Sequence, residues 1–405
     1  MGYLNRMRNR GTTKKLSSDK KLSPDQKKAF DIIKTHDFIF LTGKAGTGKS
    51  FLIDYLRENM PNCAVTATTG IAAQLIKGQT VHSFLGIIPN VGVIDSYKAD
   101  IRVRGCKTLI VDEVSMANSE LLSQIFKRFE IAEHQPRLVL SGDFSQLPPV
   151  DGDFAFTSEY WPKFYRTVLT KIHRQTDLDF IAALNDLREG KRTSLVENLI
   201  QERSVTELPD DCTKLFPRKY QAEEVNNRKL DQLPSKLKCS EWTWTYVGSE
   251  EGKEDTAPTE GNARFPKRLL MKEGARVCLL NNTDNWVNGS TGFIVKINSN
   301  DIEVKLDNGR HVVVGEADET IYGAYGNPLY KIYQYPMMLA WGLTIHKSQG
   351  MSLDRVGVYL NSHFACGQTY VAFSRAKTKE GLFLQGNLTN LQADQRALQL
   401  MKEDY

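Results

Sequence analysis

Short apolar runs alternate with amphipathic stretches over most of the chain. Runs typical of buried strands begin at Phe38, Cys63, Thr108 and Leu138, and stretches with helical spacing lie between them. Parallel strands covered by helices appear in a sequence as continuous apolar runs, and strands that alternate with helices predict a doubly wound sheet. The first part of the chain therefore predicts an α/β domain whose ligands collect at the carboxyl ends of the strands.

The same alternation returns near the C-terminus after a stretch of different character. Between residues 274 and 314, short strands are separated by Asn288-Gly289 and Asp307-Asn308-Gly309, which are hairpin signals. This pattern predicts a small antiparallel β-module inserted into a second α/β unit. The predicted segments are a basic disordered tail at 1–21, a first domain at 22–176 with an insertion at 86–105, and a second domain at 177–405 with a barrel-like module at 270–334.

A glycine-rich loop follows the first predicted strand. Phe38 to Ser50, FIFLTGKAGTGKS, gives strand, loop and helix in the order that phosphate binding requires. Its glycines let backbone N–H groups converge on phosphate oxygens at a helix N-terminus. Lys49 is placed to reach the β and γ phosphates, and the Ser50 hydroxyl to ligate magnesium. A glycine-rich turn without a ligand is the alternative, which the flanking strand and helix disfavour. The predicted ATP-binding residues here are Gly43, Ala45, Gly46, Thr47, Gly48, Lys49 and Ser50.

Polar residues follow the third and fourth predicted strands. Asp112 and Glu113 come directly after one apolar run, and Gln146 lies shortly after the next. In isolation an acidic pair is most often a solvated turn. Downstream of a phosphate loop, however, this position favours Asp112 as a magnesium ligand and Glu113 as the group that polarises the attacking water. Gln146 is a candidate sensor of the γ-phosphate.

Composition and charge narrow the class of protein. Hydrophobic residues make up 40% and charged residues 25% of the 405, as in globular proteins, and no apolar run is long enough for a membrane span. The tail carries seven Lys or Arg against the single Asp19, a charge of +6, so the rest of the chain contributes −1 to the net charge of +5 and is close to neutral. Bulk charge thus gives no argument for nucleic acid binding.

The tail has the composition of an organelle-targeting segment but lacks an apolar face, so a basic arm is the other interpretation.

The cysteines also bear on the class. The six cysteines are scattered without a CxxC pair, which argues against a zinc site and for a reducing compartment.

Several stretches match one family in a fixed order between Leu22 and Gly386. They are LSPDQKKAF, GKAGTGKS, ATTGIAA, TVHSFLGI, LIVDEVSM, LSGDFSQLPPV, IHRQTDLDFIAALNDLREG, LAWGLTIHKSQGMSLD and TYVAFSRAK. Together they resemble the motifs of the petite-integration-frequency DNA helicases and their RecD-like relatives in superfamily one. The segment FEIAEHQPR, residues 129–137, is shorter than the family's signature segment, which indicates a minimal relative of bacterial or viral type.

The resemblance implies two RecA-like domains with ATP and magnesium at their interface. Gln26 would then contact the adenine and Gly350 would approach the nucleotide. The second domain would supply an arginine to the γ-phosphate, for which Arg174 and Arg375 are candidates. A surface salt bridge is the alternative for each arginine.

The resemblance also implies movement from 5′ to 3′ along single-stranded DNA, with unwinding of forked or otherwise structured DNA in replication, repair and telomere maintenance. The candidate DNA contacts are Thr68, Thr69, His82, Ser83, Phe84, Thr344, His346 and Lys347. For Phe84, base stacking and core packing are both open. The insertion at 86–105 is the candidate wedge that separates strands, with the β-module arching over the strand.

Two other functions remain open at this stage. A nucleic-acid-binding ATPase switch would bind ATP without translocating, and a nucleotide kinase would need an arginine-rich lid instead of the HKSQG and SGDFSQLPPV stretches. The chain is expected to be monomeric and free of the membrane. Its expected location is the cytoplasm for a bacterial or viral relative, or the nucleus or mitochondrion for a eukaryotic one.

Overall fold

The computed structural model describes most of the chain beyond the basic tail. The described residues are 21–69, 72–73, 76, 78–88, 92–94, 96–172, 177–248, 258, 263, 265–281, 283–286, 289–322, 328–362 and 365–402. The parts of the predictions that lie outside them include the tail up to residue 20, Arg174, residues 89–91 and 95 of the insertion, and Asn288 of a predicted hairpin. In the described part of the chain, no helix combines the length and apolar character needed to cross a membrane.

The first sheet has six strands in the order β3-β2-β6-β7-β1-β8, and every neighbouring pair is parallel. Four of its strands are the predicted apolar runs, and their residues are almost all buried. The strands are β1 Phe38–Gly43, β2 Cys63–Ala67, β3 Gln79–Thr80, β6 Thr108–Asp112, β7 Arg137–Gly142 and β8 Tyr165–Leu169. Because all six run in one direction, the loop after β1 and the acidic pair after β6 open at the same edge.

Helices pack around this sheet in the doubly wound manner. The helices are α1 Pro24–Thr35, α2 Lys49–Asn59, α3 Val81–Leu85, α4 Tyr97–Gly105 and α5 Ser119–Ile131. Helix α1 begins at Pro24, which fixes a helical φ at the first position, and Ser23 precedes it in extended backbone. Helix α5 buries an apolar face that includes Leu122 and Ile125 against the sheet.

The second parallel sheet has four strands in the order β20-β9-β21-β22. Its strands are β9 Thr213–Phe216, β20 Gly342–Thr344, β21 Val356–Tyr359 and β22 Leu382–Gln385. The helices of this half are α6 Leu178–Arg188, α7 Ser194–Arg203, α8 Lys219–Gln232, α9 Gln368–Phe373 and α10 Gln395–Lys402. Two parallel sheets with helices, together with separate antiparallel sheets, confirm the predicted fold class.

Antiparallel sheets fill the sequence between β9 and β20. Five strands pair in the order β16-β15-β14-β13-β19, three in the order β11-β18-β17, and β10 pairs with β12. The strands are β10 Lys238–Glu241, β11 Thr243–Tyr246, β12 Arg268–Met271, β13 Arg276–Leu279, β14 Thr291–Ile297, β15 Asp301–Leu306, β16 His311–Gly315, β17 Ala317–Tyr322, β18 Pro328–Gln334 and β19 Met337–Leu339. Antiparallel pairing therefore starts near residue 238, upstream of the bound expected at 270.

The insertion at 86–105 is more regular than its sequence suggests. Strands β4 Ile87–Ile88 and β5 Gly92–Val93 form a short antiparallel pair, and α4 follows them. The guanidinium of Arg128 on α5 is fully buried beneath this segment, where it pairs with Asp100 at 2.7 Å and donates to the carbonyl of Leu85 at 2.7 Å. The base of the insertion is thus fixed to the first sheet.

The C-terminal helix α10 packs against the first half of the molecule, although the second half precedes it directly in sequence. Ala397 and Leu400 are buried in the same apolar cluster as the first-sheet strands. The Arg166 side chain of β8 donates to the carbonyl of Leu400 at 3.2 Å. The predicted assignment of residues 177–405 to the second domain did not foresee this contact, which joins the end of the chain to the first sheet.

Candidate functional site

The phosphate loop joins β1 to α2 with the geometry that its glycines allow. Gly46 and Gly48 have φ values of 81° and 84°, in the left-handed region that other residues seldom adopt. A side chain on Gly43 would meet the carbonyl oxygen of Leu169 at 2.7 Å. Lys49 Nζ donates to the carbonyls of Gly43 and Lys44 at the base of the loop. Burial lowers the pKa of Lys49, although the nearby carboxylates oppose that change.

The start of α1 lies against this loop. Gln26 is buried, its Nε2 donates to the Gly48 carbonyl at 3.3 Å, and its Oε1 accepts from the Ser23 N–H at 3.0 Å. The neighbouring Asp25 accepts from the N–H groups of Thr170 and Lys171, at 3.0 Å each, just beyond β8. Burial alone would raise the pKa of Asp25, but these bonds and the Ser23 hydroxyl lower it to about 2.

The acidic pair lies at the end of β6, facing the loop. Asp112 is buried, and Glu113 adopts φ 55°, a left-handed conformation that is uncommon for a non-glycine residue. Burial and the Asp112 carboxylate raise the pKa of Glu113 to about 7, against the influence of Lys49, Arg375 and Gln349. Burial also raises the pKa of Asp112. The two carboxyl groups and the Lys49 ammonium thus form one electrostatic cluster at the sheet edge.

Side chains from the second half of the chain reach this edge. Gln349 Nε2 donates to Glu113 Oε2 at 3.1 Å. The phenol oxygen of Tyr370, on α9, accepts from the N–H of Ala45 in the phosphate loop at 3.0 Å. A Cβ added to Gly367 would lie 2.5 Å from the carbonyl oxygen of Gln146, so the backbones of these two residues are in close contact. Gly350, with φ 77°, follows Gln349 directly.

A buried ion pair extends this connection. Asp143, which follows β7, accepts from Arg188 Nε at 3.0 Å and from Arg188 Nη2 at 2.8 Å, and both residues are buried. Burial alone would raise the pKa of Asp143, but the Arg188 guanidinium holds it below its usual range. Arg188 ends helix α6, so the pair links the first sheet to the helices of the second.

Arg375 lies in the second half beside the acidic pair. It is 2% exposed, and its guanidinium donates to the carbonyls of Ser348 and Met351, each at 3.3 Å. Its charge also acts on Glu113, whose pKa it lowers. The surface salt bridge considered for Arg375 is wrong, because the side chain is buried among backbone carbonyls. Arg174 lies outside the described residues.

The candidate DNA contacts of the first half lie beside the acidic pair and along α3. The Thr68 hydroxyl donates to the Glu113 carbonyl at 3.0 Å, and the Thr69 hydroxyl accepts from the Ala72 N–H at 3.2 Å. On α3, His82 and Ser83 are half-buried, and burial lowers the pKa of His82. These four side chains therefore border the carboxyl edge of β2 and the start of α3.

Phe84 differs from its neighbours on α3. Its side chain is 6% exposed and belongs to the apolar cluster of the first sheet, and the Arg102 guanidinium lies 5.9 Å from the ring centroid. This position favours core packing, one of the two interpretations left open, over base stacking.

In the second half, the candidates lie on the turn after β20. Thr344 Oγ1 accepts from the Lys347 N–H at 3.1 Å, which shapes the turn, and Lys347 is exposed. His346 is half-buried, and burial lowers its pKa. The same turn continues to Gln349, so one short segment connects these residues to Glu113.

Sequence reasoning missed several residues of this site. Gln349 and Tyr370 lie within stretches quoted for the family resemblance, and Asp143 directly follows β7, but none was assigned a role. Arg188 lies in the stretch IHRQTDLDFIAALNDLREG, where it carries no signal of its own. The contacts that define them join positions 227 residues apart for Tyr370 and Asp143, and 236 apart for Gln349 and Glu113, which no local pattern reveals.

Comparisons with known proteins agree with this arrangement. A family model described as an AAA domain matches residues 21–210. The ATP-dependent DNA helicase Pif1 of Bdellovibrio bacteriovorus is 36% identical over 399 residues, which cover 92% of this chain and 90% of that protein. The Pif1 helicase crystal structure from Candida albicans superposes with a TM-score of 0.78 at 30% identity, over 95% of this chain and 99% of that one. The structure of Bacteroides sp Pif1 in complex with ADP-AlF4 gives a TM-score of 0.76 at 28% identity, over 94% of each chain.

The fold and the site together define a phosphate-loop ATPase built on two parallel sheets. The chain belongs to the Pif1 family of ATP-dependent DNA helicases, as the resemblance predicted. It spans 90% of the Bdellovibrio protein but 58% of the Xenopus laevis Pif1 helicase, which is 32% identical over 375 residues and matches 85% of this chain.

Proposed function

We propose that this chain is an ATP-driven helicase that moves 5′ to 3′ along single-stranded DNA and separates duplex or structured DNA. The observation that carries the proposal is the convergence of Tyr370 and Gln349, from the second half of the chain, on the phosphate loop and Glu113 of the first. An ATP site bordered by both halves lets hydrolysis change their relative position. A kinase would not need this arrangement.

We propose three groups of roles for the predicted site residues. The loop from Gly43 to Ser50 binds the phosphates, with Lys49 neutralising their charge, and Gln26 lies beside the loop where the adenine is expected. Glu113 orients the attacking water, and Gln146 reports the γ-phosphate. Arg375, and Arg174 as the other candidate, stabilise the charge that develops in phosphoryl transfer.

The donor set fits a magnesium ion that accompanies the nucleotide. Asp112 is a buried carboxylate at a strand end, and the Ser50 hydroxyl lies in the first turn of α2. Magnesium prefers oxygen ligands and is commonly bound by one or two carboxylates plus substrate phosphates. When bound, the ion would neutralise phosphate charge, and Asp112 and Ser50 would hold it.

We propose that single-stranded DNA contacts the turn after β20 and the edge formed by Thr68, His82 and Ser83. The related Bacteroides Pif1 has been crystallised bound to single-stranded DNA, and another related structure describes two Pif1 helicases at forked duplex DNA. The insertion at 86–105, whose base Arg128 fixes, acts as the wedge. A monomer in solution and an intracellular location in the compartment that holds the DNA remain predictions.

Two tailed duplexes test the direction and the activity together. A duplex with a 5′ single-stranded tail should be unwound in the presence of ATP and magnesium, and a duplex with only a 3′ tail should not. Lys49→Ala serves as the control, because it removes the phosphate-binding ammonium and should abolish unwinding while sparing much of the DNA affinity. Preference for the 3′ tail would refute the direction. ATP hydrolysis without unwinding of either duplex would favour the ATPase switch.

A further inference from the structure

The hydroxyl of Tyr370 lies between two groups that fix its hydrogen bonds. Ala45 offers a backbone N–H, which can only donate, at 3.0 Å. Asp143 offers a carboxylate oxygen, which accepts, at 3.4 Å. A phenol donates once and accepts through its lone pairs, so Tyr370 donates to Asp143 and accepts from Ala45.

This hydroxyl is held in place from the second half of the chain. Tyr370 is 2% exposed, within the apolar cluster that includes Val371 and Phe373. The Arg188 guanidinium contacts both carboxylate oxygens of Asp143, which keeps the carboxylate charged and oriented toward the phenol. The Tyr370 oxygen is therefore a fixed acceptor aimed at the phosphate loop.

The N–H that Tyr370 engages belongs to the loop that binds phosphate. Backbone N–H groups of such a loop donate to phosphate oxygens, and each has a single hydrogen to give. A phosphate oxygen at Ala45 and the phenol of Tyr370 thus compete for one donor.

We infer that Tyr370 is a positioning residue that competes with nucleotide phosphate for the Ala45 N–H and so couples occupancy of the phosphate loop to the contact between α9 and the first sheet. The inference rests on the proposed ATPase function, which it deepens. Asp143 and Arg188 hold the phenol, and Arg188 carries the signal into α6. Gly367 at the start of α9 lies against the Gln146 carbonyl, so movement of α9 also reaches the predicted γ-phosphate sensor.

Binding of ADP tests the competition without requiring turnover. Tyr370→Phe keeps the ring and removes the oxygen, which leaves the Ala45 N–H without its competitor. ADP affinity, measured by calorimetry in the presence of magnesium, should rise about threefold to tenfold, as expected for the loss of one competing hydrogen bond. Tyr370→Leu also lacks the oxygen and should tighten ADP binding in the same direction, which keeps the test open if the phenylalanine variant does not fold.

The possible results distinguish failure of this inference from failure of the proposed ATPase function on which it rests. Tyr335→Phe, a buried tyrosine of the antiparallel module, is the matched control and should leave ADP affinity unchanged. A tyrosine that merely supports the fold would give equal or weaker ADP binding in folded Tyr370 variants, and that result would overturn the inference alone. Wild-type protein that binds no ADP would instead overturn the proposed ATPase function.

Discussion

At the scale of single residues, Glu113, Gln349 and Arg375 interact at the edge of the first sheet. Glu113 receives a hydrogen bond from Gln349, while the Arg375 guanidinium lies close enough to lower the pKa of Glu113. Arg375 is also bound to the carbonyls of Ser348 and Met351, so it is oriented by the turn that carries Gln349. One arginine thus connects the turn after β20 with Glu113, the carboxylate proposed to orient the attacking water.

Arg375→Ala should leave nucleotide binding nearly intact and remove hydrolysis. The arginine is expected to stabilise charge that develops only in the transition state, so the turnover number should fall by about 10³-fold or more. Steady-state ATPase rates and ADP affinities of the same preparation check both parts. Lys377→Ala is the control, since this exposed lysine lies two residues away and forms a surface ion pair with Asp354 at 2.8 Å. Near-normal turnover in the Arg375 variant would show that the assignment is wrong.

Asp25 gives a prediction about stability and pH. Its pKa in the folded protein is about 2, below the ordinary value of 3.8, so its hydrogen bonds stabilise the fold fully above about pH 4. That stabilisation is lost as the pH falls from about 4 toward 2. At pH 7, Asp25→Asn should therefore lower the free energy of unfolding by about 1 kcal/mol.

Urea denaturation of wild type and variant at several pH values measures this difference. The gap between them should narrow as the pH falls below 4. Asp31→Asn, an exposed position on the same helix, should produce almost no gap. A difference that stays constant down to pH 2 would mean that the Asp25 carboxylate does not hold α1 to the segment after β8.

Residue types and local order revealed the phosphate loop and the acidic pair, because both depend on a strand followed directly by specific side chains. The partners of those side chains could not be predicted in the same way. Tyr370 and Arg188 reach Asp143 only because the second half of the chain folds against the end of β7. A buried tyrosine or arginine in a helix carries no sequence signal for its partner. For Phe84, core packing is the commoner role of a lone phenylalanine but the local pattern also allows stacking, and only burial separates the two.

At the scale of elements, helix α10 is the least expected feature. The segment before α10 contacts helix ends of the second half. The Gly367 N–H, just before α9, donates to the Gln392 carbonyl at 3.1 Å. A Cβ added to Gly190, just after α6, would lie 3.0 Å from the Cβ of Ala393. Helix α10 then buries Leu400 in the first-sheet cluster. Helix α10 and the segment before it therefore contact both halves of the molecule.

Leu400→Ala should weaken the packing of α10 against the first sheet. Removing a leucine that is 8% exposed typically costs about 2 to 3 kcal/mol, so the variant should unfold at lower urea concentration. Leu195→Ala, at a position 37% exposed on α7, is the matched control and should cost less than about 0.5 kcal/mol. Equal effects of the two substitutions would contradict a buried contact between α10 and the first sheet.

The elements also show where sequence patterns are insufficient. Apolar runs predicted the first residues of the central strands of the first sheet to within one residue, since burial on both faces requires such runs. Helix α4 and strand β8 were missed, because α4 carries charged residues along most of its length and β8 alternates exposed and buried positions at the sheet edge. An apolar stripe on α10 indicates burial but does not say against which half of the chain.

At the scale of the whole molecule, the ATP site is a junction between two parallel sheets. Three contacts join the two halves of the chain at the carboxyl edge of the first sheet: Gln349 with Glu113, Tyr370 with Ala45, and Arg188 with Asp143. The turn after β20 carries both Gln349 and the candidate DNA contacts His346 and Lys347. DNA bound at that turn should therefore alter the position of groups around the ATP phosphates.

The rate of ATP hydrolysis with and without single-stranded DNA tests this central claim most directly. We predict strong stimulation of wild-type turnover by a single-stranded oligonucleotide, and no measurable turnover of Lys49→Ala under either condition. Stimulation is expected because the proposed DNA contacts lie on the same turn as Gln349, which contacts Glu113. A wild-type rate that is the same with and without DNA would contradict the account.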